Sequence, residues 1–183
     1  IPIIETMGLT ETGAQILSNP LPPTARKIGS PGTAVGNEIA IADPDLNLLG
    51  PNIEGEILVR GNNVMKEYLD RPEETKKTIT PDGWLRTGDL GQMDEDGFIF
   101  VTGRIKELII KGGENIAPRE IDEALLEHDA VLEAAAFARD CKDYGQRVEA
   151  CVRLKDGKTI SEDTLRDFCK ERIGTYKTPD HIY

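Results

Sequence analysis

The 183 residues carry 22 Lys and Arg against 33 Asp and Glu, a formal net charge of −11. Both halves are acidic, which excludes nucleic acid as a bulk partner and leaves any polyanionic ligand to a local site. Hydrophobic residues make up 38% and charged residues 30%, and no run approaches the roughly 18 apolar residues of a membrane helix, so the expectation is one domain or two small ones with no membrane span.

The chain opens without Met on the apolar run Ile1-Pro2-Ile3-Ile4, which reads as the end of a buried strand, and Glu5 to Gly13 reads as a polar loop. It closes on Asp180-His181-Ile182-Tyr183 as another apolar run begins, so both ends look cut from something longer. Residues 19–36 hold Pro20, Pro22, Pro23 and Pro31 and read as an irregular connector. Glu38-Ile39-Ala40-Ile41-Ala42 alternates as a strand and Asp43-Pro44-Asp45 ends it. Glu56 to Arg60 and Phe98 to Val101 are further strands, and Asp82-Gly83 and Asp96-Gly97 are turn dipeptides. Pro72 suits the first turn of a short helix over 72–79. Short strands at this spacing predict a small antiparallel barrel or sandwich.

After Gly103 the grammar changes. Leu108-Ile109-Ile110 is a short strand followed by a Gly112-Gly113 turn. Pro118 opens a helix with Ile121, Ala124, Leu125 and His128 at helical spacing. Val131 to Phe137 reads as a strand. In the next one, Val148, Ala150, Val152 and Leu154 alternate with Glu149, Cys151 and Arg153, predicting one buried face. Ser161 is an N-cap, Ile160 and Leu165 fit a hydrophobic staple, and Leu165, Phe168 and Cys169 form the inner face of a last helix. The prediction is an α+β chain: a β-barrel subdomain over residues 1–105, then a small α+β domain over 106–183.

Cys141, Cys151 and Cys169 are odd in number and form no CxxC pattern, so they read as three reduced, buried thiols rather than a zinc site. That suits a cytoplasmic location, with a peroxisome or another organelle left open. Trp84 reads as a packing anchor, His128 and His181 as surface or helix-end residues, and Asp94-Glu95-Asp96 as a solvated turn.

Three segments carry chemistry. In Thr6-Met7-Gly8-Leu9-Thr10-Glu11-Thr12-Gly13, a glycine allows close backbone approach, a threonine hydroxyl can hold a phosphate oxygen, and a carboxylate can ligate Mg²⁺. In Trp84-Leu85-Arg86-Thr87-Gly88-Asp89, an aspartate in a turn after glycine can accept from the two vicinal hydroxyls of a ribose. Gly103-Arg104-Ile105-Lys106-Glu107, followed by Leu108 to Ile116, lies where one structural grammar gives way to the other and suggests an interdomain hinge.

In this order and spacing the three motifs resemble those of the adenylate-forming superfamily of acyl-CoA synthetases, luciferases and peptide-synthetase adenylation domains. Leu17 to Pro23 with Arg26-Lys27-Ile28-Gly29 is similar to the oxalate–CoA ligase branch. The resemblance implies a carboxy-terminal fragment of an ATP-dependent acyl-CoA ligase, which joins a carboxylic acid to coenzyme A through an acyl-adenylate. It implies that Thr10 contacts the α-phosphate of ATP or AMP, Glu11 ligates Mg²⁺, Asp89 holds the ribose with Arg104 close by, and Met7 and Gly8 lie near the adenine. Lys106 is then the hinge of a mobile lid, and Gly112 and Gly113 line the path of the CoA pantetheine arm. The family's phosphate loop falls upstream of Ile1 and its catalytic lysine downstream of Tyr183, so the fragment alone is expected to be inactive. Alternatives are a domain loading a carrier protein, a light-emitting oxygenase, or a non-catalytic module of the same fold. The identity of the acid, whether fatty or aryl, and the oligomeric state stay open.

Overall fold

The computed structural model describes residues 3–22 and 24–183. Ile1, Pro2 and Pro23 lie outside the described residues, so the parts of the opening-strand and connector expectations that fall on them are not addressed. The chain divides into two compact units, the first ending at Thr102 and the second comprising Gly103–Tyr183. The α+β class stands, with antiparallel strands in both units and most of the helix in the second.

In the first unit, β1 (Thr6–Leu9), β2 (Ala14–Ser18) and β3 (Thr33–Ala34) form an antiparallel sheet in the order β1-β2-β3. A second sheet has the order β4 (Glu38–Ala42), β5 (Gly55–Arg60), β6 (Leu85–Met93) and β7 (Ile99–Arg104). A Gly32–Ile99 bridge joins the two. The core follows from β5, whose Ile57-Leu58-Val59 run is apolar on both faces. Ile57 and Val59 pack with Ile16, Leu17, Ile41 and Ile99, while Leu58 packs with Ala42 and Trp84 on the other side. A strand covered on both faces needs no alternation. Trp84 is the anchor expected of it, with the Arg60 guanidinium 4.4 Å from its ring centroid.

Helix α1 (Pro72–Thr78) starts at Pro72 and carries Glu73–Lys76 and Glu74–Lys77 pairs on an exposed surface. In the second unit, the sheet order is β10 (Val131–Cys141), β11 (Gly145–Leu154), β8 (Ile109–Lys111), β9 (Glu114–Ile116), and β12 (His181–Ile182) adds in parallel to β11. Helix α2 (Pro118–Leu126) buries Ile121, Ala124 and Leu125 and packs on β10 and on α3 (Glu162–Lys177). The Ser161 hydroxyl accepts from the Thr164 amide at 3.1 Å and caps α3 as expected. Leu165 and Cys169 join Ile109, Ile121, Leu125 and Val148 in one core.

Several expectations need correction. Ile3 and Ile4 form no strand, and Ile3 is 85% exposed; the buried pair is Ile16-Leu17 on β2, and part of the expected polar loop is β1. Asp89, expected in a turn after Gly88, lies instead within the nine-residue strand β6. Asp94 and Asp96 do form a turn, but Lys27 pairs with both carboxylates and stands over the Phe98 ring. Among the thiols only Cys169 is buried; Cys151 is exposed and Cys141 intermediate, and all three are free. Burial pushes the Cys169 thiol up to about 11, the mark of an unreactive structural cysteine.

Alternation puts Glu149 opposite the buried face of β11, yet it is fully buried. Arg147 bonds it at 2.6 Å, Arg139 lies at 3.3 Å, and the Tyr183 hydroxyl donates to it at 3.2 Å. Arg139 and Arg147 face each other across β10 and β11, so the carboxylate relieves a like-charge cross-strand pair. Burial opposes its charge, but the Arg147 hydrogen bond and both guanidinium charges outweigh it and hold the carboxyl below its ordinary 4.5. A group whose folded pKa is lowered stabilises fully above the unfolded value, and that contribution is lost as pH falls through the folded value. Urea unfolding below pH 4.5 should therefore show a smaller loss of stability with acid in Glu149→Gln than in the unsubstituted chain. Equal acid slopes would remove the carboxylate from that account.

Candidate functional site

The first segment is a tight hairpin. Leu9 and Ala14 pair across it, and Thr10–Thr12 make one 3₁₀ turn closed by Gly13 in the left-handed region. Thr12 is buried, and its hydroxyl donates to the Leu9 carbonyl at 3.0 Å and accepts from the Leu9 amide at 3.3 Å. Ala14 has φ +116°, a conformation costly for a side-chain-bearing residue and held by the pairing around it. Gly8 has a reason of its own: a Cβ there would lie 1.6 Å from the Ala14 carbonyl oxygen. Thr6 to Thr10 with Ala14 and Gln15 line an open depression of about 510 Å³. Met7 lines it and also packs against the Ile16–Ile57 core.

Thr10 is exposed on this turn, while Glu11 is half-buried and fixed at both ends. Its backbone carbonyl accepts from the Met65 amide at 2.7 Å, and its carboxylate accepts from the Tyr68 hydroxyl at 2.7 Å. The hydrogen bond to Glu11, with burial adding to it, raises the Tyr68 phenol above its ordinary 10.0. Sequence reasoning missed Tyr68, which lies 57 residues from Glu11.

Asp89 is buried on β6, and it is not among the residues lining the Thr10 depression. The pairing between β5 and β6 jumps there: Leu58 faces Arg86 and Glu56 faces Leu90, so Thr87-Gly88-Asp89 bulges. Gly88 takes φ +74°. The bulge is tied from three sides. The Thr87 hydroxyl donates to the Ile57 carbonyl at 2.8 Å, the Asp89 amide donates to the Thr87 hydroxyl at 3.0 Å, and the Gly88 amide donates to Glu56 at 3.1 Å. Glu56 is itself buried and held by Arg86 at 2.7 Å. It too escaped the sequence reading, because an acidic residue at a strand start looks like surface.

Arg104 is the exposed last residue of β7, and the exposed Lys106 lies within the 3₁₀ turn Ile105–Glu107, three residues past the start of the second unit. Gly112 and Gly113 join β8 to β9 with φ +58° and +90°. Among the described residues no three His, Cys, Asp or Glu side chains converge as a metal cluster. No described helix is long and apolar enough to cross a membrane.

Residues 1–69 match the profile of AMP-binding enzymes, and residues 120–183 match that of the AMP-binding enzyme C-terminal domain. The chain belongs to the AMP-binding, adenylate-forming family. It is 49% identical over 179 residues to the sulfoacetate–CoA ligase of Cupriavidus necator, covering 98% of this chain and 35% of that protein. It is 39% identical to the oxalate–CoA ligase of Arabidopsis thaliana, covering 100% of this chain and again 35% of the relative. Among solved structures, ATP-bound MatB from Rhodopseudomonas palustris superposes with a TM-score of 0.92 at 35% identity, over 98% of this chain and 36% of that one. The Bacillus subtilis o-succinylbenzoate CoA synthetase bound to its acyl-adenylate intermediate gives 0.86 at 39% identity, over 100% and 37%. The chain thus spans little more than a third of the length of these proteins.

The Tyr68–Glu11 bond has a direct test. Glu11→Gln should bring the Tyr68 phenol back down towards 10.0 in an NMR-monitored titration. A Tyr68 titration that ignores the substitution would show that the two side chains do not meet.

Proposed function

We propose that this chain is the carboxy-terminal part of an ATP-dependent acyl-CoA ligase. A carboxylate attacks the α-phosphate of ATP to give an acyl-adenylate and pyrophosphate, and the thiol of coenzyme A then displaces AMP to give a thioester. The observation that carries the reading is the 49% identity to a CoA ligase, which runs through both units in order. The first unit, with residues up to about 105, is the end of the nucleotide-binding domain, and residues 106–183 are the mobile lid.

Within that reading Thr10 presents its hydroxyl to the α-phosphate from a turn whose backbone is already fixed. Glu11 supplies one carboxylate oxygen to a cation while Tyr68 holds the other. The donors here are all oxygen, which suits Mg²⁺, and phosphate and water complete its shell where no protein cluster does. When bound, the cation neutralises charge on the phosphates. The superposition on the B. subtilis enzyme bound to ATP and magnesium supports this assignment. Asp89 accepts from the ribose diol, Met7 and Gly8 lie towards the adenine, and Arg104 is a further nucleotide-binding residue. Lys106, on its exposed turn at the start of the second unit, is the hinge, and Gly112-Gly113 line the pantetheine path.

The acid is one with a second anionic group. Sulfoacetate, oxalate and 2-succinylbenzoate, named for the relatives, all share that feature. The full-length enzyme should release pyrophosphate with sulfoacetate or a small dicarboxylate and not with a medium-chain fatty acid; the reverse preference would overturn this class. The 183-residue chain alone should release none, and detectable release would defeat the fragment reading. Lys106→Pro in the full-length enzyme should slow thioester formation at least about tenfold more than adenylation, since proline removes a donor and fixes φ at the pivot. Equal losses in both half-reactions would exclude a hinge.

A further inference from the structure

The Gly112-Gly113 turn is fastened to the end of α3 by contacts that no motif announces. Residues 111 and 176 are reciprocally bonded across 65 residues of chain: the Tyr176 hydroxyl donates to the Lys111 carbonyl, and the Lys111 ammonium donates to the Tyr176 carbonyl at 3.2 Å. Lys111 is buried, its ammonium lies 5.4 Å from the Tyr176 ring centroid, and Asp180 at 3.4 Å completes its surroundings. On the other side, the Gly112 amide donates to the Tyr144 carbonyl at 2.8 Å, and the Ile110 amide donates to the Gln146 side chain at 2.7 Å. A Cβ at Gly112 would lie 3.2 Å from the Tyr176 hydroxyl and 3.4 Å from the Tyr144 ring. The turn is therefore gripped between two tyrosines. Tyr176 reaches it because α3 breaks at Gly174 (φ 78°, ψ 166°), where the Thr178 hydroxyl takes up the Gly174 carbonyl at 2.8 Å.

We propose that Tyr176 is a positioning residue for the thioester half-reaction, holding the Gly112-Gly113 turn through its bond to the Lys111 carbonyl, with Tyr144 as the opposing stop. This rests on the reading that the turn lines the path of the CoA arm. The physical case is one of order. A pair of adjacent glycines is the most permissive backbone available, and a turn built from it loses the most entropy when a ligand fixes it. Bonds that fix the turn beforehand remove that cost from thiol binding. They leave the first half-reaction alone, since nothing in it calls on this turn. The two tyrosines differ in a way that can be tested. Tyr176 acts through its hydroxyl, whereas Tyr144 acts through its carbonyl and ring.

The test uses Tyr176→Phe in the full-length enzyme, which keeps the ring and removes one hydroxyl, with Tyr144→Phe as its control. Losing this partly buried hydrogen bond should raise the KM for CoA and the hydrogen-exchange rate of the Gly112 amide by about tenfold each. ATP–pyrophosphate exchange should stay within about twofold, on the same hydrogen-bond scale. Tyr144→Phe should leave all three unchanged. A CoA KM unmoved by Tyr176→Phe overturns the proposal, as does an equal loss in both half-reactions, which would mark a merely structural tyrosine. If the unsubstituted enzyme performs no pyrophosphate exchange with any acid, the ligase reading fails instead. The Gly112 exchange rates then still decide whether the hydroxyl holds the turn.

Discussion

A buried carboxylate on a central strand of the second sheet sets the geometry on which the first unit's candidate site rests. Glu56 accepts from the Arg86 guanidinium and from the Gly88 amide, and both donors lie on β6 on either side of Thr87. The two bonds are possible only if β6 carries extra residues between Arg86 and Leu90, so the bulge and the buried charge require each other. Removing Glu56 would take away the acceptor of the half-buried Gly88 amide and the partner of the partly solvated Arg86 guanidinium. Asp89 inherits its position from this arrangement, because its own amide is fixed by Thr87, whose hydroxyl is fixed by Ile57. In the proposed ribose-binding role a side chain held this way needs no prior ordering of its backbone.

What was legible in the sequence followed local rules. Ser161, Pro72 and Pro118 marked helix starts because capping depends on residues within one turn. The strand at Glu38 to Ala42 showed its alternation openly. β6 did not, although its burial alternates from Leu85 to Gly91. Its inward positions are Leu85, Thr87, Asp89 and Gly91, so the period of burial is 2 but the period of hydropathy is lost. The inward Thr87 hydroxyl is tolerated because it donates to the Ile57 carbonyl on β5, a partner 30 residues away. Glu149 misled for the same reason: alternation assigned it to water, while Arg139, Arg147 and Tyr183 enclose it.

The candidate site divides along the same line. Thr10, Glu11, Asp89, Arg104, Lys106 and the two glycines stand in short segments, and the resemblance to a family carried their roles. Their supports do not. Tyr68 is 57 residues from Glu11, Glu56 is 32 from Gly88, and Tyr176 is 65 from Lys111. Hydrogen bonds across such separations leave no periodic trace in one sequence. Gly8 shows a related ambiguity, since a glycine beside a depression suggests room for a ligand, whereas the Ala14 carbonyl already forbids any side chain.

The supports share a pattern that bears on the proposed two-step ligase chemistry. In each unit a turn containing positive-φ residues is held by a hydroxyl or carboxylate from a distant element: Tyr68 at Glu11, Glu56 at Gly88, Tyr176 at Lys111. Each hold joins residues of one unit. If the second unit is the mobile lid proposed above, bracing of this kind matters, because a turn shaped by its own unit keeps its form while the unit moves, and the motion then need supply only orientation.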